Sequence, residues 1–472
     1  MINSGTQTPT QLPSYITSAT PNPPDKRAPW YKNTAPTYAG IFLWFVFWDP
    51  VTSGGQALAA GLPIALFGLV LSALVCHFLF YLVPGLFGMK TGLPLYIVGT
   101  STFGARGGFF MPGFLMGVLQ FGWVGVNSFF SAMLIYNAFA SSPINPSSHY
   151  PVPGHTIIAI VFAALAAFMG LKGIKYVARV ATYLPLLPQA ILLIVLIKTG
   201  GGIGNFKPEQ IITSQKIIAP LGGLGVIALM LTYVVGFFAT AGAAGVDFGL
   251  NSRDKKDVST GGLLGIALAI VVTAGISLMV VAGAYGGAKP DTIPTAVNAT
   301  GLMGAIMGKK TGDLFMLLLA IAAFPPGCFS AFIAANSFKT TLPKVNPFIS
   351  VGIGTVVSII LAATGWAGQV VDVFKVIGAS FGPICGAMLV DYLLSGGKWT
   401  GPRAGFNLAG WLSWAVGFVV GAWNGLFAGL CGCPFKMPCP PVAAIIVGFV
   451  LYVVLAKIGL QSRSLEMPRA QK

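Results

Sequence analysis

The stretch Phe47-Trp48-Asp49-Pro50-Val51-Thr52-Ser53-Gly54-Gly55 sets a carboxylate, a proline and a glycine pair inside a long apolar run. Asp49 is the only carboxylate of the chain in the middle of such a run. Burying a lone charge in hydrocarbon costs at least ~2.5 to 3.5 kcal/mol on insertion scales, so Asp49 is expected to face protein, water or a ligand. The helix-breaking residues beside it free backbone carbonyls, and irregular backbone at membrane depth is tolerated only where it lines such an interior. The segment reads as part of a transport site.

The rest of the chain supplies the bilayer context. Of 472 residues, 55% are hydrophobic and only 8% charged, with a mean hydropathy of +0.82, a composition that excludes an ordinary soluble domain. Residues 1–36 differ: rich in Pro, Ser and Thr, without an apolar run of signal-sequence length, they read as a disordered cytoplasmic tail. Beyond them, apolar runs between Gly, Pro and polar breaks give about twelve helices of spanning length. They fall near 38–58, 61–88, 108–137, 154–171, 176–197, 218–245, 260–286, 313–336, 346–364, 372–395, 405–427 and 440–458. The domain reading is a transporter core over 37–396 (helices one to ten), helices eleven and twelve over 397–459, and a cytoplasmic C-terminal tail over 460–472.

The net charge of +16 would suggest nucleic acid in a soluble protein, but topology explains it here. With the N-terminus inside, 19 of the 27 basic residues fall on cytoplasmic segments and 8 outside, which favours both termini inside and an even number of spans in the plasma or inner membrane. No phosphate-binding loop of the type G-x-x-x-x-G-K-[ST] is present, so ATP-driven transport by this chain alone is not expected. A membrane enzyme would need clustered His, Asp or Glu, and three histidines do not supply it. A channel would need a repeated filter sequence, and none is visible. Cys431, Cys433 and Cys439 match no zinc spacing, which leaves metal binding, a disulfide or no role open.

Two helices carry interruptions, Asp49 to Gly55 in the first and Ala239-Thr240-Ala241-Gly242-Ala243-Ala244-Gly245 in the sixth. They stand five helix positions apart, the spacing of a five-plus-five inverted repeat whose discontinuous helices meet at the midplane. The fold expected is an all-α integral membrane transporter. Gln120 and Asn127 lie three residues before and four after Trp123, so on a helix they share its face. An amide offers both a donor and acceptors, which suits the edge of a flat polar ring. Amides also join membrane helices, so packing is the competing role.

Three segments resemble the nucleobase:cation symporter family, which holds cytosine permeases and hydantoin transporters. Met89 to Pro94 with Ser101 to Gly107 is similar to the loop between its second and third helices. Gln120-Phe121-Gly122-Trp123-Val124-Gly125 is similar to its third-helix element, and Ser380 to Pro383 with Val390 to Leu393 to the end of its tenth helix. The resemblance covers about residues 38–395 and implies the inverted-repeat fold with two added helices. It also implies that Trp123 is the tryptophan that stacks on the base and that Phe238 stands where relatives carry a second aromatic. Thr240 and Ser330 are further candidates for the ring edge. In sodium-driven relatives, hydroxyls of the eighth helix help to hold the ion, but Pro325-Pro326 stands at that place here, so Asp49 becomes the candidate for proton coupling.

The function expected is a symporter importing a nucleobase such as cytosine or a related purine, pyrimidine or hydantoin-like heterocycle. Its partners are that substrate, a coupling cation (H+ or Na+) and the bilayer, with no organic cofactor, no metal site and no nucleic acid. The alternative is an amine or amino acid carrier of the same fold, with Asp49 pairing the substrate cation. His77 is a further internal titrating group, with packing as the competing role, and Asp49 also has a structural alternative, capping the helix at Pro50.

Overall fold

A computed structural model describes residues 12–42, 48–173, 176–177, 183–289, 293–342 and 344–467, of which the side chains at 41, 42, 49, 50, 300, 340 and 370–374 are not described. Among the described residues the regular elements are all helices, as a bilayer demands: hydrocarbon offers backbone N–H and C=O groups no partner, so each segment must satisfy its own. Among the described residues nine helices are long and apolar enough to cross a membrane. They are Leu62–Thr91, Phe109–Phe139, Pro153–Leu171, Leu186–Asn205, Gly223–Ala243, Lys255–Gly286, Lys309–Lys339, Lys375–Leu394 and Pro440–Lys457. The pair Leu408–Gly421 and Trp423–Leu430, bent by 60°, is apolar enough only when taken together, as a broken span or a re-entrant loop. Pro347–Ala363 is a shorter apolar helix of 17 residues. The first expected span is represented by Thr34–Phe42 and Trp48–Thr52, on either side of undescribed residues. Numbered in chain order from that first segment, these are spans one to twelve, and the chain is a multi-pass membrane protein.

Three interruptions shape the interior. After Trp48–Thr52 the backbone enters left-handed conformations at Ser53 (φ 45°), Gly54 (φ 60°) and Gly55 (φ 96°), where the two glycines have no Cβ to clash. Span six ends at Ala243, turns at Ala244 and restarts as Gly245–Gly249. Span eight turns at Ala323 between Lys309–Ala322 and Phe324–Thr341, with Pro325 and Pro326 in the new first turn. That last break lies beside the proline pair, because proline lacks the N–H that would continue the ladder but fits a helix start.

The helices pack as two groups. Span two packs against both span six and span seven, joined by Thr34–Phe42 of span one, while spans three, four, eight and nine form the other set. Within the first group, span two meets the half-helix Gly245–Gly249 backbone to backbone. A Cβ on Gly88 would lie 2.0 Å from the Val246 carbonyl oxygen, and one on Gly249 the same distance from that of Gly85. Small residues permit this approach, and dispersion across it holds the pair.

Residues 12–33 depart from the expectation of a disordered tail. Ile16 is fully buried, and the Tyr15 hydroxyl donates to the Ala105 carbonyl. Asn22 Nδ2 donates to Leu250 O and Asn251 Oδ1, and the Arg27 guanidinium donates to Asn22 O and Met89 O. The Trp30 N–H donates to Asp257 Oδ1 at 3.0 Å. Aromatic and amide residues within the Pro-rich stretch supply these anchors, which average composition conceals.

The same face holds a buried ion pair. Arg403 Nη2 stands 3.1 Å from Asp391 Oδ1, Nε donates to Ser101 O and Nη1 to Ser462 O. Asp391 also accepts from the hydroxyls of Ser101 and Tyr452. Arg403, and not the nearer Lys398, pairs with Asp391, since a planar guanidinium serves one carboxylate and two carbonyls together. Because the network reaches both Ala105, next to the N-terminal segment, and Ser462, the two ends of the described chain share one face. All six cysteines are free thiols, and the described residues hold no group of His, Cys, Asp or Glu arranged for a metal ion.

Arg403→Ala leaves Asp391 buried without its counter-charge and is expected to cost about 3–5 kcal/mol. Thermal unfolding in detergent should show this loss, and the double substitution Asp391→Leu with Arg403→Met should recover most of it.

Candidate functional site

A cavity lies where spans three, six and eight meet, beside the turns at Ala244 and Ala323. Gln120, Trp123 and Asn127 line it from span three, Phe237, Thr240, Ala241 and Ala244 from span six, and Pro326, Phe329 and Ser330 from span eight. The space between them, its open part included, is about 450 Å³. Span three belongs to one helix group and span six to the other, so the cavity sits on the seam between them.

Helical spacing explains which side chains arrive. Gln120, Trp123 and Asn127 share one face of span three at intervals of three and four residues, as expected from the sequence. They are 4%, 6% and 1% exposed. Trp123 Nε1 donates to Thr240 Oγ1 at 3.2 Å, linking spans three and six across the seam. Asn127 Nδ2 donates to Trp123 O at 2.7 Å, and Asn127 Oδ1 accepts nothing. Gln120 Nε2 has only the Met116 thioether, 3.3 Å away, a weak acceptor. Five of the six expected lining residues, Trp123, Gln120, Asn127, Thr240 and Ser330, are therefore brought together.

Phe238 is the exception. It is fully buried, with its ring 6.1 Å from that of Tyr38. One residue is 100° of helix rotation, so its neighbour Phe237 reaches the cavity instead. Phe237 meets Trp123 edge to face, centroids 4.7 Å apart and planes at 72°. Phe237 supports one side of the indole. Pro326, Phe329, Ala241 and Ala244 complete the wall and were missed because they are ordinary packing residues in a sequence.

Toward the face that carries both termini the cavity is closed by rings. Phe329 stacks on Phe248 with centroids 5.4 Å apart and planes at 18°, Tyr38 packs on Phe248, and the Tyr38 hydroxyl donates to Ala241 O. Asn33 of the terminal segment bonds to Phe248 O on the far side. No ionisable residue stands among the described lining residues. The side chain of Asp49 lies outside what is described, as does that of Asp372, and His77 is buried between spans two and seven, against Tyr81 and Gly262, away from the cavity.

Residues 21–437 match the family model described as permease for cytosine/purines, uracil, thiamine, allantoin. The chain belongs to this permease family. It is a membrane transporter, of the nucleobase:cation symporter kind to which its sequence motifs pointed. Its fold is similar to that of Mhp1, a nucleobase-cation-symport-1 family transporter, in a closed conformation with bromovinylhydantoin bound. The TM-score is 0.66 and the identity 12%, over 97% of this chain and 98% of that one. A sodium-coupled sialic acid symporter in a substrate-bound outward-open state gives 0.57 at 13% identity, over 93% and 92%. A manganese transporter of Eremococcus coleocola gives 0.55 at 13%, over 94% and 96%. At these identities the likeness is one of fold, and no curated protein matches the chain in sequence.

Phe237→Ala and Phe238→Ala separate lining from packing. Phe238→Ala is expected to destabilise the fold by roughly 3 kcal/mol while the folded fraction binds labelled cytosine normally. Phe237→Ala should weaken that binding with a smaller change in melting temperature, as measured by scintillation proximity and thermal unfolding.

Proposed function

We propose that the permease imports a nucleobase such as cytosine, or a related purine, pyrimidine or hydantoin-like heterocycle, by cation-coupled alternating access. The observation that carries this reading is the grouping of Trp123 with the amides Gln120 and Asn127 in a cavity that has no charged group among its described lining residues. A flat ring stacks on the indole of Trp123, gaining contact area and the attraction of an aromatic face. The amides and the hydroxyls of Thr240 and Ser330 then read its edge. Rocking of spans one, two, six and seven against three, four, eight and nine exposes the cavity to one side of the membrane and then the other. The core over 37–396 performs this motion, with spans eleven and twelve added outside it and both termini cytoplasmic in the plasma or inner membrane.

Proton coupling is the reading favoured for the driving ion. Pro325-Pro326 brings no hydroxyl to the eighth span where sodium-driven relatives carry one, whereas Asp49 supplies a carboxylate in an apolar run, the type of group that carries protons through membranes. Asp49 binds a proton on one side of the membrane and releases it on the other. The amine-carrier reading, with Asp49 as the anchor of a substrate cation, is the rival that the same experiment decides.

Uptake of labelled cytosine into proteoliposomes, under imposed proton and sodium gradients separately, tests the proposal. Inhibition by unlabelled purines, hydantoins or allantoin is expected, with accumulation driven by the proton gradient. Inhibition by amines alone would overturn it. Trp123→Ala should reduce affinity about tenfold or more, the size of a lost base stack. Asp49→Asn should abolish gradient-driven accumulation but keep exchange, and normal pH-driven accumulation would remove Asp49 from coupling.

A further inference from the structure

Resting on the alternating-access reading above, we infer that Asp247 is the positioning residue that keeps the cavity closed toward the termini. Its ionised carboxylate ties the half-helix beneath the cavity to the segment between spans two and three, and a proton loosens that tie. Asp247 lies on Gly245–Gly249, one residue before Phe248. Phe248 stacks on Phe329 and packs on Tyr38, the rings that cover this side of the cavity. Opening there requires Phe248 to leave Phe329, so the half-helix has to move. Whatever holds the half-helix therefore controls the opening.

Asp247 Oδ1 accepts from the Leu95 N–H at 3.0 Å. Leu95 belongs to the connection from Thr91, the end of span two in one helix group, to Phe109, the start of span three in the other. That connection is held in its turn: Trp399 Nε1 donates to Val98 O, the Ser101 hydroxyl donates to Asp391, and Arg403 Nε donates to Ser101 O. Asp247 thus fastens the element that has to move to a segment that is anchored.

Electrostatics singles out this carboxylate. On the same face Asp257 has the Arg253 guanidinium and the Trp30 N–H, and Asp391 has Arg403 with the hydroxyls of Ser101 and Tyr452. Asp247 is partly buried; its carboxylate has one backbone N–H and, among the described residues, no ion pair. The charged and titratable groups on the elements packed around it are engaged elsewhere. Lys90 of span two donates to the Tyr392 hydroxyl and Gly397 O, Arg27 to Asn22 O and Met89 O, and the Tyr38 hydroxyl to Ala241 O. Tyr96 lies on the connection itself, and span eight presents Phe329. A carboxylate drawn from water without a counter-charge takes up a proton more readily than a paired one. Its bond to Leu95 is charge-assisted while Asp247 is ionised and loses about half its strength when the group is neutral. The closed form is therefore favoured above the titration of Asp247 and weakens as the pH falls through it.

Inside-out membrane vesicles carrying the full chain with Ser330→Cys, a cavity-lining position, test this with a membrane-impermeant thiol reagent, labelling being read site by site by mass spectrometry. The same chain with Asp247→Asn keeps an acceptor and loses the charge. Taking the ratio of the two rates at each pH cancels the reagent's own pH dependence. At about pH 8 the Asp247→Asn chain should label about tenfold faster, and at about pH 5 the two should agree within about threefold. A ratio that stays constant across this range would overturn the inference, since a packing role does not titrate. Protection of the Leu95 amide against hydrogen exchange in the natural protein, corrected for the intrinsic rate, is a second measurement that serves even if Asp247→Asn does not fold. It should fall several-fold over the same range, and constant protection would overturn the inference too. Neither readout uses a substrate. A cavity cysteine that never reacts from this side, beside an amide that does follow pH, would instead overturn the alternating-access reading beneath.

Discussion

A bilayer gives the peptide backbone nothing to bond with, and the architecture follows from that. Continuous helices answer the constraint wherever a segment faces lipid, so an interruption can be kept only inside the protein. The turns at Ala244 and Ala323 stand beside the one cavity where spans three, six and eight converge. Tyr38 shows how the exposed backbone is served, its hydroxyl donating to Ala241 O within the span-six break. A side chain from span one thus does for span six what water does in a soluble protein.

The seam between the helix groups is held by few and separable contacts. Trp123 to Thr240 is a single hydrogen bond across it, and Phe248 to Phe329 is a ring stack that can slide apart. Within each group the packing is of another kind: Gly88 and Gly249 meet neighbouring backbone so closely that no side chain could be added. Rigid bodies with a weak, mixed seam are what rocking motion requires, since packed cores switch between arrangements rather than deform continuously. The terminal segment adds to closure by bonding the ends of spans two and six together through Asn22 and Arg27.

Much of this was readable in the chain because the determining signals are local. Apolar run length marks the spans, and the i−3, i+4 spacing of Gln120 and Asn127 about Trp123 places three side chains on one face without knowledge of any neighbour. Span six was harder: Phe237 and Phe238 are adjacent and identical in type, and only the packed orientation of the helix decides which one meets the cavity. The Arg403 to Asp391 pair joins the end of span ten to the loop beyond it and gains its meaning from Ser101 and Ser462, partners far away in sequence. The order of residues 12–33 was hidden for a related reason, because Tyr15, Asn22 and Arg27 bond to carbonyls whose positions exist only once spans two, three and six are assembled.

The distribution of charge carries the argument one step further. Arg253 with Asp257, Lys309 with Asp313 and Arg403 with Asp391 all sit at the ends of spans, where water or a dense polar network stabilises them. The described wall of the cavity is neutral. A neutral ring can enter such a site and exchange its hydrogen bonds with water for bonds to amides and hydroxyls, with no ion to strip of its hydration. On the proposed reading, recognition depends on the shape of the Trp123 face and the direction of each donor and acceptor, while the charge that drives transport is carried by another group. Such a division lets one site hold its ligand equally in both orientations of the seam, so that the driving ion, and not the ligand, biases which way the cavity opens.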